Sequence, residues 1–210
     1  PASLSKPAAA DARAAAEAAQ RGILYHTALS RLDLAATTPD GLERQMSSFA
    51  AERWWQGASR DPVIERGIVA FFVTETGRAL AAAASVSGAV EREVPFSLKM
   101  PVRRLLPFLG DLRRAIEADP RWAVGAWSRA LDSAWVLVQG RIDCLFLRDG
   151  HWCILDWKTD RLRPAEVAVR ARAYEVQMRL YREAVAGLWG EPGSAWLAFI
   201  ASGAVVEVGR

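Results

Sequence analysis

Two aspartates and a lysine stand where a hairpin would ordinarily carry aliphatic residues. The stretch 140–160, GRIDCLFLRDGHWCILDWKTD, reads as two apolar runs around Asp149–Gly150, with Asp143 in the first run and Asp156 and Lys158 in the second. Asp-Gly between such runs signals a two-residue turn with positive φ at both central positions. With the turn there, residues whose numbers add to 299 face one another, and Asp143 and Asp156 are such a pair. Their Cβ atoms are expected about 4.5–5.5 Å apart on one face, and Lys158, two residues beyond Asp156, shares that face. The opposite face would carry Ile142, Cys144, Phe146, Leu155 and Trp157, a plain core surface, with Cys144 and Cys153 as small buried hydrophobes.

Opposed carboxylates repel, so a proton, a neighbouring cation such as Lys158 or Arg141, or a divalent metal must compensate. The plain alternative is a solvent-exposed face with a salt bridge. Against it, Leu145, Leu147, Trp152 and Ile154 make the acid-bearing face largely apolar, where unpaired acids are costly. A cation held by two acids beside a lysine suits phosphodiester hydrolysis. The metal can lower the pKa of a bound water, and the ammonium can offset charge building on the phosphate.

The elements that must position these groups follow from periodicity. Residues 11–32 read as an Ala-rich helix that Gly22 would kink or break, with Leu24, Ala28 and Leu32 on one face. A second helix is expected within 37–55, capped by Thr38 or Asp40, and a third over 61–84 with a break near Thr76–Gly77. Residues 87–100 read as a strand, 111–118 as a short helix, and 133–147 and 151–159 as the hairpin. Pro164 and Gly190 bracket one helix over 164–190, and 194–209 reads as a last hairpin, or two short strands, around Ser202–Gly203. The expectation is an α/β domain: a mainly helical segment, 1–85, belonging to the same domain as a sheet-and-helix core, 86–210.

With 210 residues, 51% of them hydrophobic, the chain can bury a real core. A formal net charge of +3 permits a nucleic-acid partner without arguing strongly for one. The two cysteines form no CxxC or Cys/His cluster, which speaks against zinc, an iron–sulfur cluster or a disulfide framework and fits a reducing compartment. No 18-residue apolar run is present, so no membrane span is expected. The start at Pro1 with an Ala/Ser/Pro-rich lead is consistent with a piece of a longer chain.

GRID, ILDWKTD and the helical QMRLY at 177–181 together resemble the RecB-like branch of the PD-(D/E)xK nuclease superfamily, in particular the C-terminal nuclease domain of AddA/UvrD-type bacterial helicase–nucleases. REVPFSL (92–98) and FIASGAVVEV (199–208) are similar to that family too. The resemblance implies a restriction-endonuclease-like core, a central mixed sheet flanked by helices. It implies His26, Asp143 and Asp156 as metal ligands, with the backbone carbonyl of Trp157 as a further one. It implies catalytic roles for Asp143, Asp156, Lys158, Glu93, Gln177 and Tyr181. Apart from the resemblance, His26 reads as an ordinary helix histidine, Glu93 equally as a surface residue, and His151 as structural. The arginines of 161–172 fit either DNA phosphate or a solvated helix face.

The implied activity is that of a Mg²⁺-dependent DNA exonuclease, with Mn²⁺ as a substitute and Ca²⁺ binding without cleavage. It would work in the bacterial cytoplasm on single strands delivered by a helicase, in double-strand-break processing and recombinational repair. A catalytically inactive DNA-binding or scaffolding relative is the alternative, but it would have no need of Asp143, Asp156 and Lys158. No GxxxxGK[ST] phosphate loop occurs, so a motor would lie in another part of the protein or in a partner chain.

Overall fold

A computed structural model of the chain describes residues 6–55, 58–105 and 133–209. Four helices come first: α1 (Lys6–Arg31), α2 (Pro39–Ala50), α3 (Pro62–Phe72) and α4 (Glu75–Ala84). Then follow β1 (Val90–Pro101), the short α5 (Val102–Leu105), β2 (Trp135–Arg148) and β3 (His151–Lys158). Helices α6 (Pro164–Ala173) and α7 (Glu175–Trp189) lead to β4 (Ala195–Phe199) and β5 (Ala204–Glu207). The expected helix at 111–118 lies outside the described residues.

The strands form one mixed sheet in the order β1-β2-β3-β4-β5. Only β3 and β4 run parallel, and α6 and α7 make the crossover between them. One face of the sheet buries Cys144, Phe146, Cys153, Leu155 and Trp157 against Tyr25, Ile64, Ile68, Phe71 and Leu80 of the N-terminal helices. The other buries Leu145, Ile154, Leu197 and Phe199 against Met178, Tyr181 and Val185 of α7. The layers are therefore helix, sheet, helix. Among the described residues no single helix is long and apolar enough to cross a membrane.

Local chemistry sets the boundaries. Thr38 caps α2 by accepting from Gly41 N at 3.1 Å, and Asp61 caps α3 by accepting from Val63 N at 3.1 Å. The predicted 61–84 helix is two helices bent by 75°, but the break is at Val73–Thr74 rather than at Thr76–Gly77. Thr74 is the new N-cap, accepting from Gly77 N at 3.0 Å. Gly77 is inside α4 for a different reason: a Cβ there would lie 2.1 Å from Phe71 O. Gly22, expected to interrupt α1, does not. Its missing side chain lets α1 approach Thr159, whose Oγ1 would be 3.3 Å from a Cβ.

The predicted single helix over 164–190 is broken at Tyr174, which ends α6 and begins α7. Its hydroxyl is engaged with Asp160 and Arg170.

The central hairpin has the expected register, with Cys144 facing Leu155 and Arg148 facing His151. Asp149 and Gly150 have φ of 53° and 78°, as the two-residue turn requires. One detail differs. Alternation places Ile142 beside Cys144 and Phe146, yet it packs in the opposite layer with Leu145 and Ile154. The cause is an interruption in the β1–β2 ladder. Arg92 pairs with Cys144 and Val94 with Ile142, but Glu93 and Asp143 between them drop out, and Glu93 takes φ of 55°. Both strands exchange faces at that step: Val90 belongs to one layer, Val94 and Phe96 to the other.

Candidate active site

The site lies at the C-terminal ends of the parallel strands β3 and β4, in the seam between the two helical layers. Strand alternation sets Asp156 and Lys158 side by side on β3, and Lys158 Nζ is 2.6 Å from Asp156 Oδ2. Asp143 reaches in from β2, where the ladder has let go of it. Its Oδ2 accepts the Trp157 amide at 2.8 Å and lies 3.3 Å from His26 Nδ1 on α1. The two helical layers thus meet at the acids, α1 supplying His26 and α7 supplying Gln177 and Tyr181.

Gln177 organises the centre. Its Nε2 donates to Asp156 Oδ1 at 2.9 Å and contacts Tyr181 OH at 2.7 Å, while its Oε1 accepts from Lys158 Nζ at 3.2 Å. The Tyr181 hydroxyl donates to the Arg141 carbonyl at 2.7 Å. Since that hydroxyl has one proton, it receives from Gln177 and gives to Arg141. The chain from β2 through α7 to β3 is therefore closed, and it fixes which way Asp156 faces.

Asp156 is 1% exposed. Burial, and then the negative charge of Asp143, push its carboxyl up to about 6, against the pull of Lys158 and His26. Burial draws His26 down, but the hydrogen bond to Asp143 and the charges of Asp143 and Asp156 together draw it up, so it binds its proton more tightly than an ordinary imidazole. Burial and the Asp156 charge hold the Tyr181 phenol well above its usual range, so it is neutral and able to donate.

The sequence-predicted residues His26, Asp143, Asp156, Lys158, Gln177 and Tyr181 converge in this one place. Trp157 contributes its amide to Asp143, while its ring is core, packed edge-on against Phe71 at 4.7 Å. Glu93 stands beside the group rather than in it. Its carboxylate pairs with Arg141 at 3.1 Å, and both line a cleft of about 630 Å³ with His26, Thr27 and Ser30. The arginines near 161–172 are largely tied up inside the protein: Arg161 to Asp61, Arg163 to Glu166 and Arg170 to Asp160. Two residues outside the sequence reading also belong to the site. Tyr174 places its ring under Lys158, with Nζ 4.1 Å from the centroid, and Asp160 holds the Tyr174 hydroxyl at 3.1 Å. The signal was available: Tyr174, Gln177 and Tyr181 recur at i, i+3 and i+7.

Among the described residues no three His, Cys, Asp or Glu side chains form a ready-made ligand group. Lys158 lies against Asp156 as a counter-charge, and His26 contacts Asp143. The donor set nevertheless fits a divalent cation. Asp156 Oδ2 is fully buried, and although Lys158 is close, the contact lies outside hydrogen-bonding angles, so that oxygen has no hydrogen-bond partner. Two carboxylates and an imidazole converging from three elements suit Mg²⁺ or Mn²⁺.

Residues 3–208 match the family described as the PD-(D/E)XK nuclease superfamily. The chain belongs to that superfamily. Its five-stranded mixed sheet between helices has the restriction-endonuclease-like form. Similar proteins include the A-subunit of the ATP-dependent helicase/nuclease of Bacillus licheniformis, 33% identical over 80% of this chain and 12% of the relative. Its counterpart in Geobacillus thermodenitrificans is 31% identical over 83% of this chain and 13% of its own length. That of Oceanobacillus iheyensis is 27% identical over 90% of this chain and 14% of its own length. The chain spans about an eighth of these relatives, and it is a nuclease-superfamily domain homologous to that part of them.

Proposed function

We propose that the chain is a metal-dependent DNA exonuclease domain that hydrolyses phosphodiester bonds in strands fed to it by a helicase motor, in the processing of double-strand breaks for recombinational repair. The observation that carries the reading is the buried Asp156 with an unpartnered oxygen, 2.6 Å from Lys158 and near enough to Asp143 to feel its charge. A scaffold would gain nothing from two neighbouring acids, one of them pushed up to about 6. The helicase connection rests on the names of the relatives and on the fraction of them that this chain spans.

Asp143, Asp156, His26 and the Trp157 carbonyl would hold Mg²⁺ or Mn²⁺, which supplies Lewis acidity and a bound water of lowered pKa. Gln177 fixes the orientation of Asp156 and Lys158 together. Lys158, 12% exposed, brings an ammonium to the point where negative charge grows on the phosphate. Tyr181 locks Gln177 against β2. Glu93 and Arg141 stand at the cleft, where Arg141 can meet phosphate and Glu93 can accept a proton. Helices α1–α4 and the sheet act as one domain, because His26 completes a site built otherwise on β2, β3 and α7.

The test uses end-labelled linear DNA, single- and double-stranded, with circular single-stranded DNA as the end-less control. Cleavage of linear strands with Mg²⁺ or Mn²⁺, abolished by EDTA and by Asp156→Asn, is expected. Cleavage unaffected by Asp156→Asn, or binding with no cleavage under any divalent ion, would overturn the reading.

A further inference from the structure

Lys158 has three contacts in the structure, and only the one to Asp156 is ionic. Its Nζ is 2.6 Å from Asp156 Oδ2, 3.2 Å from Gln177 Oε1 and 4.1 Å from the centre of the Tyr174 ring. We propose that Tyr174 is a positioning residue for Lys158, a ring platform that fixes the ammonium without neutralising it. The inference rests on the nuclease reading of the site.

A lysine side chain is a point charge on a flexible four-carbon stem, so a useful Nζ position must be imposed from outside. The Asp156 carboxylate holds one side of the ammonium and offsets part of its charge, and a second carboxylate would offset the rest. An aromatic face attracts the ammonium through its quadrupole and leaves the net charge intact. The N–H groups remain able to donate to phosphate oxygens.

The ring itself is immobilised. Tyr174 sits at the one-residue break between α6 and α7, and its ring packs near Phe199 with centroids 6.2 Å apart. Its hydroxyl donates to Asp160 Oδ2 at 3.1 Å and accepts from Arg170 at 3.0 Å, while Arg170 pairs with Asp160 at 2.8 Å. The Arg170 guanidinium also lies over this ring, 4.9 Å from its centroid. Asp160 follows Lys158 by two residues, so the strand that carries the lysine is tied to the ring beneath it. The helix break also gains a reason: it is where the platform is inserted.

The chain has only three lysines, Lys6, Lys99 and Lys158, so selective ¹³C labelling at the lysine Cε gives three signals. Lys158→Arg identifies the Lys158 signal by its disappearance. Stacking over the ring moves the Lys158 ε-protons upfield, in metal-free protein as well. Tyr174→Leu is expected to return that signal toward free lysine and to lower kcat on linear DNA about tenfold, with KM changed by less than about twofold. Tyr174→Phe keeps the ring, and is expected to keep the shifted signal and most of the rate. A Lys158 signal that stays in place in Tyr174→Leu overturns the inference. So does a Tyr174→Leu rate equal to wild type, or an equal loss in Tyr174→Phe and Tyr174→Leu, which would assign the effect to the hydroxyl and not the ring. A wild-type protein that cuts no DNA with Mg²⁺ or Mn²⁺ overturns the nuclease reading instead.

Discussion

Replacing Asp156 by Asn should make the metal-free protein more stable at neutral pH while destroying its activity. Burial and Asp143 raise the folded-state pKa of Asp156 to about 6, from an ordinary 3.8. An acid whose pKa is raised on folding favours the folded state fully only below its unfolded pKa, and that advantage is lost as pH climbs through the folded value. Above pH 6 the ionised carboxylate therefore costs the folded state on the order of 3 kcal/mol, net of the attraction from Lys158. Asn cannot ionise, and its carbonyl can keep the hydrogen bond that Gln177 makes to Oδ1. For a chain of this size the difference corresponds to about 6–12 °C in Tm. In EDTA the two melting curves should coincide near pH 4, and the variant should lead by an increasing margin up to pH 7.5. Millimolar Mn²⁺ should then stabilise the wild type by mass action and close the gap, leaving the variant almost unmoved. A margin that is constant between pH 4 and 7.5, or a variant less stable than wild type in EDTA at pH 7.5, would refute the reasoning.

Lys158→Ala should lower kcat by on the order of 10²-fold while Mn²⁺ affinity, read by calorimetry, changes only a few-fold, because the lysine is aimed at transition-state charge. Tyr181→Phe leaves the ring packed edge-on against Phe96 but removes the hydroxyl between Gln177 and the Arg141 carbonyl. It should cost about 1 kcal/mol in chemical denaturation and also slow cleavage, since Gln177 loses its lock. Gly67→Ala should destabilise severely, by about 3 kcal/mol or more in chemical denaturation, with no direct effect on chemistry. A Cβ at 67 would lie 1.7 Å from the Ile200 carbonyl, and backbone cannot step aside there.

The centre of the site was legible because it is built on rules that act locally. A two-residue turn of known type fixes a register, and a register fixes which side chains share a face; that is why the pairing from Arg148–His151 to Cys144–Leu155 could be counted out along the chain, while Asp143 and Asp156, next in the count, lie beyond the paired residues. The contribution of His26 was not legible in that way. It depends on how closely α1 lies against the end of β3, and this is set by Gly22 opposite Thr159, a contact 137 residues apart in sequence that no periodicity encodes. The Gly22 expectation failed for the same reason: glycine in a helix reads as a breaker unless the approach it permits is known.

The ladder interruption at Glu93 and Asp143 shows the limit of counting faces. Alternation predicts that Ile142 shares a layer with Cys144, and it does so only while every residue stays in the sheet. At Asp143 the side chain takes the Trp157 amide, and on the facing strand Glu93 adopts a left-handed backbone that a glutamate rarely takes. Conformations of that kind persist where the surroundings over-determine them, and here they occur beside the proposed metal ligands. The departure from the regular sheet turns Asp143 toward both His26 and the β3 acid, so the local rule fails at the residue whose side chain the site requires. Tyr174 is the second such place. A helix expected to run from 164 to 190 is interrupted at Tyr174, and the ring placed there lies beside Lys158.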